Sequence, residues 1–231
     1  VGRGLGLGVV GVVFSAPPRK CILASTDVLE IARLECAAAD AARAAGTREG
    51  APFVALVVAR AEDGSTMVEA YQLSRQCVEM YRAGVFLPLA EQKLNSGRLK
   101  TAEPVVVEAK EVKSVHTEFF LVNVPIRSHT SPFLRAGPHF PVENRDFTPQ
   151  HPADLAARLR AEGAIGEKAE AMALVRAVSD FHVLLYLARL LGEEGGGEAM
   201  AGLCSAVREQ RPLTEAEEGF RVLIEAVVDA S

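Results

Sequence analysis

Between residues 52 and 84 the hydrophobic pattern changes character three times. "PFVALVVA" (52–59) is a continuous apolar run of strand length, and "EDGS" (62–65) carries an Asp-Gly turn signal. "TMVEAYQL" (66–73) returns with partial alternation. "SRQCVEMYRAG" (74–84) then switches to helical spacing, with Ser74 placed to cap it and Cys77, Met80 and Tyr81 on one face. A buried hairpin followed at once by a helix commits this part of the chain to a sheet with helical cover.

The flanking segments extend the pattern. Residues 7–14 read as a buried strand. "VLEIARLECAAADAARAAG" reads as a helix over 28–45, with Asp27 before it, Glu30 three residues on and Gly46 as its stop. Residues 89–103 lack period and read as loop. "PVVVEAKEV" and "EFFLVNVPI" are two strand candidates joined by Lys113–Thr117. The stretch 127–152 is irregular, with five prolines and three histidines, and a loop of that length is often functional. From 153 onward the spacing is helical. Breaks are expected near Ser179 and at "GGG" (195–197), and a last helix is expected to open on a Thr214–Glu217 capping box. Its apolar stripe is Phe220, Leu223, Ile224, Val227 and Val228. The expected class is α/β: a mixed-sheet domain over 1–145, then a helical domain over 146–231. The chain starts at Val1, which predicts an upstream part.

Several function classes fall away on composition. The net charge is −5 and no long Lys or Arg run occurs, so binding to a nucleic-acid backbone is not expected. No apolar run approaches the ~20 residues of a membrane helix, and the first residues lack a signal-peptide pattern. Cys21, Cys36, Cys77 and Cys204 form no C-x-x-C pair and read as buried free thiols in a reducing compartment.

The chemistry-bearing motifs are few. Gly6, Gly8 and Gly11 fit G-x-G-x-x-G, but β-favouring Val12-Val13-Phe14 follows Gly11 where a dinucleotide site needs a helix N-terminus. His129, His139 and His151 share one loop at spacings that match no standard ligand set. His182 lies on an apolar helix near Asp180 and reads as a core histidine with a satisfied hydrogen bond. Cys77 reads as packing, and no G-x-S-x-G elbow occurs. "ENRD" (143–146) reads as a structural junction between the domains, with partner binding as the alternative.

"AYQLSRQCVEMYRAGVFLP" (70–88), "FPVENRD" (140–146) and "SDFHVLLYLARLL" (179–191), in this order and spacing, resemble the C-terminal half of the nuclear protein localisation protein 4 family. The resemblance runs from about Gly6 to Ser231. It implies an MPN domain followed by a helical domain. Catalytic MPN domains are JAMM metalloproteases that cleave ubiquitin isopeptides, with a zinc motif resembling G-W-x-H-S-H-P, six residues, then S-x-x-D. Laid on it, Gly11, Ser15 and Pro17 match. Phe14 and Ala16 stand at the two histidine positions, Ala24 at the later serine and Asp27 at the ligand aspartate. A catalytic zinc needs three protein ligands and an open position for water, and Phe and Ala offer no lone pair. The expectation is therefore a non-enzyme with no metal and no cofactor, in which Asp27 caps the helix after it.

The family acts as an adaptor, by resemblance. It pairs with ubiquitin fusion degradation protein 1 and brings polyubiquitin-tagged substrates to the AAA ATPase valosin-containing protein, in cytoplasm, nucleus and at the cytosolic face of the endoplasmic reticulum. The ATPase-docking region is expected to be absent from this chain, because nothing here matches the family's ubiquitin-like domain or zinc fingers. A groove for ubiquitin or a partner peptide is expected near Gln72, Ser74, Gln76, Phe140, Pro141, Glu143, Asn144 and Arg145. The alternatives are a structural MPN scaffold subunit and, less favoured by the ligand set, an active isopeptidase.

Overall fold

The structure is a computed structural model, and it describes the chain except residues 17–18, 47–52, 62, 136–139, 143–148, 167–168 and 230–231, with the side chains of 191–199 and 229 also outside it. It is mixed α/β, as expected. Two compact units form, Gly8–Ser128 and Val1–Leu7 with His129–Ser231. This division differs from a boundary at 145, and side chains supply the reason. Leu5 is buried among the helices, a Cβ on Gly4 would lie 2.8 Å from Cys204 Cβ, and the Arg135 N–H donates to Ser179 O at 2.6 Å.

The first unit is built on a four-stranded sheet of order β1-β2-β3-β6, with β1 Gly11–Ala16, β2 Val54–Arg60, β3 Thr66–Leu73 and β6 Leu121–Asn123. β1 runs parallel to β2, and the other pairs are antiparallel. The strand expected over 7–14 begins later, at Gly11. Leu7, Val9 and Val10 are exposed instead, and Gly11 itself is required because a Cβ there would meet Val54 O at 2.3 Å. The β2–β3 hairpin forms as read: Asp63 Oδ1 accepts from the Ser65 N–H at 2.9 Å, and Gly64 has φ +85°.

α1 (Ser25–Ala44) starts three residues before the expected Val28 and ends ahead of Gly46, whose φ is +64°. α2 (Arg75–Arg82) is capped by Ser74 Oγ, which accepts from the Cys77 N–H at 3.3 Å. The region read as loop and two strands is rearranged. β4 (Arg98–Val107) and β5 (Lys110–His116) form a second, two-stranded sheet, so "PVVVEAKEV" contains its turn and Lys113–His116 belongs to a strand. Thr117–Phe120 is a 3-10 turn leading into the short β6. The core gathers Leu23, Val28, Ile31, Val57, Tyr71, Cys77 and Leu99.

The second unit holds α3 (Pro152–Ala161), α4 (Ala173–Val178), α5 (Phe181–Glu209) and α6 (Gly219–Asp229). The break near Ser179 is present. The break at Gly195–Gly197 is not: α5 runs through it. The glycines cost helix propensity of about 1 kcal/mol each, but the packed turns on either side, with Leu184, Leu187, Leu203 and Val207 buried, impose the helix. α6 begins at Gly219, not Thr214, although Glu217 does accept from the Thr214 N–H at 2.8 Å. Its buried stripe is Phe220, Ile224 and Val228; Leu223 is 48% exposed, contrary to the expected pattern.

Candidate functional site

Alternation along β1 sets the geometry. Val12, Phe14 and Ala16 share one face and pack against the core of the first unit, while Val13 points away and is 62% exposed. Phe14 and Ala16 are thus held in apolar surroundings at the two positions where imidazoles would be needed. The chain then crosses to α1 through Arg19–Ala24. That crossing is fastened from outside: Thr117 Oγ1 donates to Leu23 O at 2.8 Å, the Ser25 N–H to Ser96 O at 2.7 Å, and Ser25 Oγ to Lys93 O at 3.2 Å.

Asp27 lies in the first turn of α1, one turn inside the position expected for it. Ala24 is the N-cap residue and has no side-chain acceptor, so capping comes from the other direction: Asp27 Oδ2 accepts the Ala24 N–H at 2.9 Å. The same Oδ2 accepts from Arg19 Nη2, which also donates to Ile22 O at 3.3 Å. The side chains of this pair are 11% and 22% exposed. These residues do not fit a zinc ion. Two of three ligand positions lack donor atoms, and the third carboxylate is engaged by a guanidinium and a helix N-terminus. Among the described residues no group of three or more His, Cys, Asp or Glu could hold a metal.

The other candidates separate. His129 and His151 are exposed, and His139 and Pro17 lie outside the described residues. His182 does not satisfy its ring as expected. Its backbone N–H donates to Asp180 Oδ1 at 2.8 Å, while its buried Nδ1 has no partner among the described residues. Cys77 is fully buried, and burial first, then nearby Glu35, pushes its thiol up to about 12, which removes it as a nucleophile. Cys204 is buried too, whereas Cys21 and Cys36 are half-buried.

Of the expected groove residues, Gln72, Ser74 and Gln76 follow one another from the end of β3 into α2, with Gln72 opposite Val122 of β6 and Gln76 exposed. Phe140 and Pro141 belong to the second unit. Phe140 is a core residue there, edge-on to Tyr186 at 5.4 Å, and Pro141 O accepts from Gln150 Nε2 at 2.8 Å. Glu143, Asn144 and Arg145 lie outside the described residues.

Sequence reasoning missed a cavity of about 380 Å³ in the first unit. It is walled by Leu29 and Arg33 of α1, Tyr81 and Arg82 of α2, and Phe86–Leu89. No short motif marks it, because it arises where α1 and α2 pack side by side and the following loop crosses them.

A mixed-sheet unit whose metal position is apolar, joined to a helical unit, defines a class: the architecture is consistent with an MPN-like domain followed by a helical domain. No family model matches the chain. Among curated proteins it is 30% identical over 241 residues to NPL4-like protein 2 of Arabidopsis thaliana, covering 99% of this chain and 51% of that protein. It is 31% identical over 236 residues to the NPL4-like protein of Oryza sativa subsp. japonica, covering 100% of this chain and 52% of that one. It is 30% identical over 183 residues to the nuclear protein localization protein 4 homolog of Dictyostelium discoideum, covering 79% of this chain and 28% of that protein. The chain belongs to the nuclear protein localization protein 4 (NPL4) family, and it spans about half the length of these plant relatives.

Proposed function

We propose that this chain is a non-catalytic ubiquitin-binding adaptor that helps deliver polyubiquitinated substrates to the AAA ATPase valosin-containing protein for unfolding. Its partners on this reading are ubiquitin chains and ubiquitin fusion degradation protein 1, met in the cytoplasm and nucleus, with ATPase docking left to residues outside this sequence. Family membership supports the reading. The observation that carries its non-catalytic half is the state of the former ligand set: Phe14 and Ala16 packed on the core, and Asp27 tied to Arg19 and the Ala24 N–H. A surface of this fold that cannot activate water is left with recognition.

The first unit has two features suited to an extended peptide. β1 is paired only with β2, so its other edge has free ladder positions among the described residues. The cavity beside α1 and α2 combines apolar walls with Tyr81, Arg33 and Arg82. The test is hydrogen exchange on the chain with polyubiquitin, together with an isopeptidase assay. Protection within Gly8–Ser128 and no cleavage are expected. Absence of protection anywhere, or cleavage of isopeptide bonds, would refute the reading.

A scaffold subunit is the second reading, and one observation favours it. The sheet face away from α1 carries Val13, Leu56, Val58, Val68, Ala70 and Val122, with a charge at its end in Arg60, and Val13, Val68 and Val122 are 62%, 46% and 47% exposed. A scaffold predicts a stable complex with another subunit that survives Val13→Lys poorly, while polyubiquitin is not retained.

A further inference from the structure

A carboxylate that is mostly withdrawn from water requires a positive partner, or it takes up a proton. In an enzyme of the fold implied here that partner is a metal ion. In this chain the Asp27 carboxylate meets the first turn of α1, whose amide groups supply only a partial positive charge through the Ala24 N–H. The full charge comes from Arg19, eight residues upstream. Its side chain is 11% exposed, so the guanidinium is itself largely removed from water. Its Nε is buried with no partner among the described residues. The guanidinium is therefore not stabilised by a ring of acceptors on every side. Its two recorded acceptors are Ile22 O and Asp27 Oδ2, and only the second bears a charge. A buried guanidinium that leaves one of its own donors unsatisfied in order to face a single carboxylate is held by that charge pairing.

We propose that Arg19 is a built-in substitute for the metal ion: a covalently tethered cation that neutralises Asp27, fastens the crossing from β1 to α1, and closes the position to divalent ions. Two consequences follow. The fold around the start of α1 is independent of metal. Restoring imidazoles at positions 14 and 16 is not enough to recover a zinc site, because the Asp27 oxygen is already engaged by Arg19, and a guanidinium on that oxygen repels a divalent cation brought to it.

Zinc loading tests this directly. The full chain, Phe14→His/Ala16→His and Phe14→His/Ala16→His/Arg19→Ala are each equilibrated with excess zinc chloride and desalted. Bound zinc is measured by atomic absorption, and Tm is recorded with and without zinc. Only the triple variant is expected to retain about one zinc ion per chain and to rise in Tm with zinc. Stoichiometric zinc in the double variant, or an empty but folded triple variant, overturns the proposal. Because the histidine variants disturb core residues, a second arm uses none of them. Arg19→Met is expected to lower Tm by roughly 3–6 °C, and Asp27→Asn added to it is expected to cost little more, since the uncompensated charge is then gone. Additive losses from the two substitutions overturn the pairing.

Discussion

Each unit of this molecule contains an aspartate at the start of a helix with an arginine upon it, Asp27 within the first turn of α1 and Asp180 at the N-cap of α5. Asp27 accepts the Ala24 N–H at 2.9 Å, and Asp180 accepts the His182 N–H at 2.8 Å. Arg19 also donates to Ile22 O, and Arg158 also donates to Ala177 O at 2.5 Å. They differ in depth. The side chains of Arg158 and Asp180 are 5% and 6% exposed, against 11% and 22% for Arg19 and Asp27. The deeper pair sits among the helices, where Leu155, Leu159, Val178 and Val183 are buried around it. The shallower one borders the crossing from an edge strand. The same device thus serves as a core element in the helical unit and as a surface seal in the sheet unit. What separates them is how much water each charge has given up.

The largest effect should come from breaking the deeper pair. Arg158→Met withdraws the buried guanidinium from the Asp180 carboxylate and from Ala177 O, a loss of about 3–5 kcal/mol. Urea unfolding followed by helix-specific exchange should show it in the helical unit. Arg158→Met/Asp180→Asn should recover part of the loss. Next comes Gly11→Ala. The new Cβ would lie 2.3 Å from the Val54 carbonyl oxygen, which is backbone and cannot rotate away, so the β1–β2 ladder must shift at about 1–3 kcal/mol. That change should spare the helical unit. Arg19→Met follows at about 1–2 kcal/mol, reduced relative to Arg158→Met by the greater exposure of its partner. Equal losses for the two arginine variants would erase the contrast in depth.

The two units were also unequally legible. In the sheet unit the β2–β3 hairpin and the α2 cap could be read because local chemistry fixes them: Asp63-Gly64 makes the turn and Ser74 meets the Cys77 N–H. The β4–β5 hairpin could not. Its two-residue turn is Glu108-Ala109, both with positive φ (50° and 61°), where Asn or Gly would have announced it. The apolar state of positions 14 and 16 was visible in the letters alone, but Arg19 was not. Nothing in a loop after two prolines marks which cation will reach a carboxylate. In the helical unit, periodicity revealed the helices but not their limits. α5 passes through three glycines because its ends are packed, and Leu5 joins that core from the far end of the chain. Both are tertiary contacts that no local window contains.

The smallest expected effect is the response to pH, and it has opposite signs in the two units. In the sheet unit burial raises the Glu35 carboxyl above its usual value, with Arg82 pulling the other way, and its Oε2 is buried without a partner among the described residues. The folded state then holds a proton more firmly than the unfolded chain. Stability from this group is complete below the ordinary glutamate value and declines as pH rises through the raised one. In the helical unit Arg211 grips Glu217 with two bonds of 2.7 and 2.9 Å, and the Thr214 N–H adds a third at 2.8 Å. These contacts, Arg211 first, lower the Glu217 carboxyl to about 2. Here the folded state binds the proton less firmly, so the contribution is complete above the unfolded value near 4.5 and is lost as pH falls towards 2. Glu217 is near the surface, which limits the contribution to no more than about 1 kcal/mol. Tm measured from pH 7 down to pH 2 should separate the two. Glu35→Gln should flatten only the upper part of the profile, where the sheet unit gains on acidification. Glu217→Gln should flatten only the acid limb, where the helical unit loses. A Glu35→Gln variant that changes the limb below the ordinary glutamate value instead would mean that its carboxylate is paired in solution, and the contrast between the units would then rest on the arginine pairs alone.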